Sequence, residues 1–198
     1  MADSDPVTNE IELASAIDKV SGLLQKITDY TTSNANAKSK QNIIFPKRFV
    51  KTRKSYSLQF EWMLDDTLKR NISYEYIFAD ILRWLSDHTN LYGPARQMLY
   101  KHTIVIFAAI LESLLTGFFK QVDFVERKTI PQVNKLLAKK IINKKLHAEI
   151  SWLWDLRQRV HLFLLETLEL ESYKITDVKR ALLIINTLEK CLTSYFDN

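Results

Sequence analysis

Apolar residues recur at Leu13, Ile17, Val20, Leu24 and Ile27. This alternating spacing of four and three predicts an amphipathic helix over residues 9–30, with Thr8 as a candidate N-cap. The stretch Thr31 to Ser39 is rich in Thr, Ser, Asn and Ala and reads as a linker. Asn42 to Ser57 is basic and contains Pro46, which breaks any helix and suggests an extended arm. Leu58 to Arg70 is ambiguous between helix and irregular structure, with helix favoured. Ser73 is a candidate cap for a helix running to about Thr89, with Ile77, Phe78, Ile81, Leu82 and Leu85 facing inward.

Tyr92-Gly93-Pro94 is a break, and Pro94 suits the first position of a helix over about 94–121. Its apolar run from Ile104 to Leu111 is too short to span a bilayer, ends at Glu112, and reads as a helix buried on most sides. Pro131 opens a helix to about Asn143, and another is expected over about 145–170. Thr176 is a candidate cap for the last helix, where Val178, Leu182, Ile185, Leu188, Leu192 and Tyr195 form a stripe. The fold class is all-α, an antiparallel up-and-down bundle over residues 61–198, preceded by a helix, linker and basic arm over residues 1–60.

Composition supports this picture. Only 3 Gly and 4 Pro occur in 198 residues, too few for the tight turns of a sandwich or an α/β fold. The 46% hydrophobic content suffices for a sizeable core. Cys191 is the only cysteine, so no intrachain disulfide or cysteine-based zinc site is expected. No leader-like start is evident, and a cytoplasmic protein with no membrane partner is expected. The net charge of +5 is mild but uneven. One acid-free zone carries Lys38, Lys40, Lys47, Arg48, Lys51, Arg53 and Lys54; a second carries Arg127, Lys128, Lys135, Lys139, Lys140, Lys144 and Lys145. Both are candidate phosphate-binding surfaces, Lys47, Arg48, Lys51, Arg53 and Lys54 foremost, and both are equally compatible with solvated helix faces.

The chain has no Gly-rich phosphate loop, no Gly-x-Ser-x-Gly elbow and no His-Glu-x-x-His. Its four histidines are too scattered for a metal site, so neither metal nor cofactor is expected. The residues that stand out are Arg157 and His161. At about 100° per residue they fall on the same side as Ile150, Leu153, Leu164 and Leu168, while Asp155, Arg159 and Glu166 point away. The i, i+4 spacing puts them within mutual reach. Metal-free RNA cleavage needs a group of near-neutral pKa to move the proton of the 2′-hydroxyl or leaving oxygen, which suits His. It also needs a fixed cation for the charge growing on phosphorus, which suits Arg. The structural alternative is a buried Arg157 paired with Glu112 and a core histidine. Trp152 and Trp154 are expected to pack, and Lys101 and His102 to lie at the solvated end of their helix.

The stretch Leu156-Arg157-Gln158-Arg159-Val160-His161-Leu162, on the penultimate helix of an all-α bundle, resembles the Arg-x-x-x-His-type motif of HEPN domains (higher eukaryotes and prokaryotes nucleotide-binding). Ile104 to Leu115, with its Glu112, is similar to the long HEPN helix, as is the last helix with Tyr173, Val178, Ala181 and Leu188. The resemblance covers roughly residues 73–196. It implies a metal-independent endoribonuclease of the toxin–antitoxin or defence type, acting as a homodimer on RNA, with an antitoxin or other protein as a further partner. Arg157 would contact the scissile phosphate and His161 would be the acid or base, with Glu112 and Gln158 as positioning residues. HEPN domains usually place four to six residues between Arg and His and an Asn or Asp after the Arg. Here there are three, and Gln158. The same resemblance therefore also allows a non-catalytic interaction, nucleotide-binding or RNA-binding module.

Overall fold

The computed structural model describes residues 6–34, 49–122, 128–159 and 173–197, all helical or in short connections, with no strand among them. The chain forms two compact units, Met1–Phe45 and Pro46–Asn198.

Among the described residues, the first unit contains one helix, α1 (Glu10–Ser33). Its N-cap is Asn9 rather than Thr8: the Asn9 side chain accepts from the Glu12 amide at 2.9 Å. Thr8 instead donates from both its amide and its hydroxyl to the Glu12 carboxylate. Those bonds hold the Glu12 carboxyl below its usual range.

The second unit is an all-α bundle of α2 (Arg53–Ser57), a single 3-10 turn (Leu58–Phe60), α3 (Asp66–His88), α4 (Pro94–Gln121), α5 (Thr129–Ala138), α6 (Lys144–Gln158) and α7 (Ile175–Asp197). At its centre, α4 packs on α3, α5, α6 and α7. It starts as its sequence suggests, with Pro94 at the first position after Gly93, whose φ of +57° a glycine adopts without strain. Among the described helices, α4 is long and apolar enough to cross a bilayer, but 67% of its most apolar stretch is buried within the bundle. Ile104, Ala108, Ile110, Leu111, Leu114, Leu115 and Phe118 are all fully buried.

The other helices cover α4 with single faces. From α7 come Val178, Ala181, Ile185, Leu188 and Leu192; from α6, Leu146, Ile150, Leu153 and Leu156. The core also takes in Tyr56, Phe60 and Met63, from the short elements before α3. Trp62 stacks on Phe196 at 5.4 Å, and both contact Phe118, closing one end of the bundle with aromatic rings.

α3 departs from expectation. It begins at Asp66, capped by Asp65, whose side chain accepts from the Leu68 amide at 3.0 Å. Ser73 lies inside the helix, buried, and its hydroxyl donates to the Lys69 carbonyl. The inward face is Ile72, Ser73, Tyr76, Ala79 and Leu82, so Phe78, expected inside, is exposed. α5 begins two residues before Pro131 and ends at Ala138. α6 ends at Gln158, short of the expected helix to about residue 170; residues 160–172 lie outside those described.

Candidate functional site

α6 is fixed at its start by Asn143, whose side chain accepts from the Leu146 amide at 2.8 Å. Its buried face runs Leu146, Ile150, Leu153, Leu156. Arg157 follows that face and is half-buried, as is Gln158, while Arg159 is exposed. Periodicity thus separated the two arginines correctly. Arg157 lies in the last turn of α6, where a cation interacts favourably with the negative end of the helix dipole. Its guanidinium stacks over the Trp154 ring, 5.3 Å from the centroid, an i, i+3 contact along the same helix. His161, the expected acid or base, lies outside the described residues.

The expected burial of Glu112 is not observed. Glu112 is exposed, and it forms no ion pair with Arg157 among the described residues. The reason is periodic. From residue 101 onward, His102, Ala109, Glu112, Thr116 and Lys120 form the exposed stripe of a helix whose other positions there are buried or half-buried. Lys101, expected at a solvated end, is buried instead, one residue off that stripe.

Glu112 and Trp154 meet in a different way. Both line an open depression of about 400 Å³, together with Lys128, Thr129, Ile130 and Pro131. Trp154 is thus a wall of the depression and a support for Arg157. The lining combines an acid and a lysine with the apolar surfaces of Ile130, Pro131 and Trp154. A second cavity, lined by Arg83, Ser86 and Tyr100 among others, holds about 40 Å³, room for little more than water.

The basic zones are only partly described. Lys47 and Arg48 lie outside the described residues. Lys51, Arg53 and Lys54 are exposed, with the Lys51 ammonium 5.7 Å from the Tyr56 ring centroid. They belong to the α2 region, which packs on α3, whereas α6 packs on α4, α5 and α7. The exposed lysines Lys139, Lys140, Lys144 and Lys145 surround the α5–α6 turn. That turn is at the opposite end of α6 from Arg157, about 18 Å away along the axis. These four lysines therefore do not converge on Arg157; Lys128, from the same basic zone, lines the depression with Trp154. Among the described residues there is no group of three or more His, Cys, Asp or Glu able to hold a metal.

Two polar clusters went unnoticed in the sequence. Trp152 packs beneath Arg180, 3.8 Å from the ring centroid, and Arg180 donates to Glu149 at 2.6 Å. This ties α6 to α7, and the Arg180 bond holds the Glu149 carboxyl below its usual range. In the second cluster, Tyr56 stacks on Tyr76 at 5.1 Å and donates its hydroxyl to Asp80, which Arg83 also meets at 3.2 Å. Glu189 of α7 lies close to Tyr76, and burial pushes its carboxyl up to about 7. Burial also raises the Tyr56 and Tyr76 hydroxyls. The available signal was Glu189 at the edge of the α7 apolar stripe, four residues after Ile185 and three before Leu192.

Comparison with protein-family models, with curated proteins and with solved structures gives no match.

Proposed function

We propose that the chain is a HEPN-like, metal-independent endoribonuclease that acts as a homodimer, with Arg157 and His161 as its reacting pair. The observation that carries the reading is the position of Arg157: half-buried at the end of α6 and stacked on Trp154, a residue that lines an open depression. A guanidinium held in one orientation can donate two parallel hydrogen bonds to a phosphate without first losing its own rotamer freedom. In the proposed reaction the 2′-hydroxyl attacks the adjacent phosphorus and loses its proton, and the 5′-oxygen leaves and gains one. The products are a 2′,3′-cyclic phosphate and a 5′-hydroxyl end. His161 moves one of these protons, and Arg157 stabilises the extra negative charge on phosphorus. RNA incubated with the full chain in excess EDTA should be cut. His161→Ala should abolish cutting at an unchanged melting temperature. Intact RNA with the wild-type chain, at enzyme in excess over substrate, would remove the proposal.

A second reading is a non-catalytic interaction or RNA-binding module of the same fold. It is favoured by the Arg157–Trp154 stack itself, since a cation satisfied within its own helix also serves stability alone. It predicts that Arg157→Ala lowers the melting temperature while there is no activity to lose.

A further inference from the structure

The heptad pattern of α1 has no role in the functional reading. Its Leu13, Ile17, Val20, Leu24 and Ile27 repeat with the period of 3.5 that knobs-into-holes packing requires. As a single helix, α1 buries none of its side chains. The positions flanking this seam carry no charge: Ala14, Ser21 and Thr28 on one side, Ala16, Leu23 and Tyr30 on the other. Of the charged residues, Glu12, Asp18, Lys19, Lys26 and Asp29 lie on the remaining face, and Glu10 alone continues the seam, at its N-terminal end.

Three properties select the occupant. Between Glu10 and Ser33 there are four acids and two lysines, a net charge of −2, which disfavours an anionic membrane surface. Uncharged flanks present no like-charge clash when the same surface meets itself. The flank of Ala16 and Leu23 is also complementary in size to itself. In an antiparallel pair, Leu13 meets Leu24 and Ile17 meets Val20 of the other copy, and the bulk of Leu23 falls beside Ala16. A parallel pair would instead bring the two Glu10 carboxylates together at the seam.

We infer that α1 is a self-association helix that pairs antiparallel with α1 of a second copy. The inference rests on the homodimer of the proposed function, whose interface it names, and not on the proposed cleavage chemistry; loss of the dimer and loss of RNA cutting are read separately. At about 36 Å, the helix is short for a coiled coil, so the dimer is concentration-dependent.

Light scattering on the full chain across a hundredfold concentration range tests this. The mass should rise from 23.2 kDa towards twice that value. Ile17→Asp with Leu24→Asp should weaken the dimer at least tenfold and leave the bundle's melting temperature unchanged. In a Cys191→Ser background, mild oxidation should link chains carrying both Leu13→Cys and Leu24→Cys faster than chains carrying either alone. A monomer at every concentration overturns the inference. So does a dimer indifferent to the α1 substitutions, because it would then form through the bundle. A fall in melting temperature of the monomeric double-Asp variant also overturns it, because α1 would then be covering its own chain.

Discussion

Replacing Glu189 with Gln should make the protein more stable at pH 8 and leave it nearly unchanged at pH 4.5. Glu189 sits on α7 beside Tyr76, and burial raises its carboxyl from 4.5 to about 7. A folded-state pKa above the unfolded value means that the native state holds the proton more tightly. The associated stability is complete below about pH 4.5, is lost as pH rises towards 7, and does not change further above that. A displacement of roughly two and a half pH units corresponds to about 3.4 kcal/mol. Glu189 keeps part of its surface in water, which screens the charge and reduces the working figure to about 2 kcal/mol. Gln preserves the shape and hydrogen-bonding capacity of the side chain and cannot ionise. The other carboxyls titrate alike in both proteins, so the difference between them isolates residue 189. Urea denaturation followed by circular dichroism, at pH 4.5, 6 and 8, gives the two stability profiles. The variant's advantage should grow from near zero to about 2 kcal/mol. A difference independent of pH, or a variant less stable at pH 8, would refute the burial argument.

Leu111→Ala, at a fully buried position on the central helix, should cost about 3 kcal/mol in the same urea assay. Asn143→Ala removes the 2.8 Å cap of α6 and should cost about 1 kcal/mol at neutral pH. The Arg180–Glu149 pair is partly exposed, so a double-mutant cycle should return under about 1 kcal/mol at pH 7. Because the Glu149 carboxyl is held below its usual range, that coupling is present above the ordinary carboxylate pKa and should be lost as pH falls through the lowered folded-state value.

The start of α4 was the most legible boundary, fixed by Gly93-Pro94. The α7 stripe holds at Val178, Ile185, Leu188 and Leu192, but Leu182 is half-buried, Tyr195 is exposed, and Thr176, expected as the cap, lies one residue inside the helix. α3 was misread because Ser73 can either cap a helix or bond back to a carbonyl one turn earlier, and here it does the latter. Its inner face then shifted, putting Tyr76 and Ala79 inward and Phe78 outward. Glu112 was misread because a charge in an apolar run suggests a buried partner; the rest of its stripe, His102, Ala109, Thr116 and Lys120, points to water instead. At the candidate site, periodicity chose Arg157 over Arg159. It did not reveal the Trp154 stack or the depression beside it, because both depend on how α6 packs against α4 and α5. The Glu189–Tyr76 proximity joins residues more than a hundred positions apart, and no local pattern encodes it.

The end groups of RNA exposed to the purified chain in EDTA decide whether Arg157 and His161 react with it. A labelled RNA and its all-deoxy counterpart should be incubated in parallel with the wild type, Arg157→Ala and His161→Ala. The wild type alone should give 2′,3′-cyclic phosphate and 5′-hydroxyl ends from the RNA, and the deoxy strand should stay intact. Cutting of the deoxy strand, equal cutting by His161→Ala, or intact RNA in every reaction would contradict the proposed reaction.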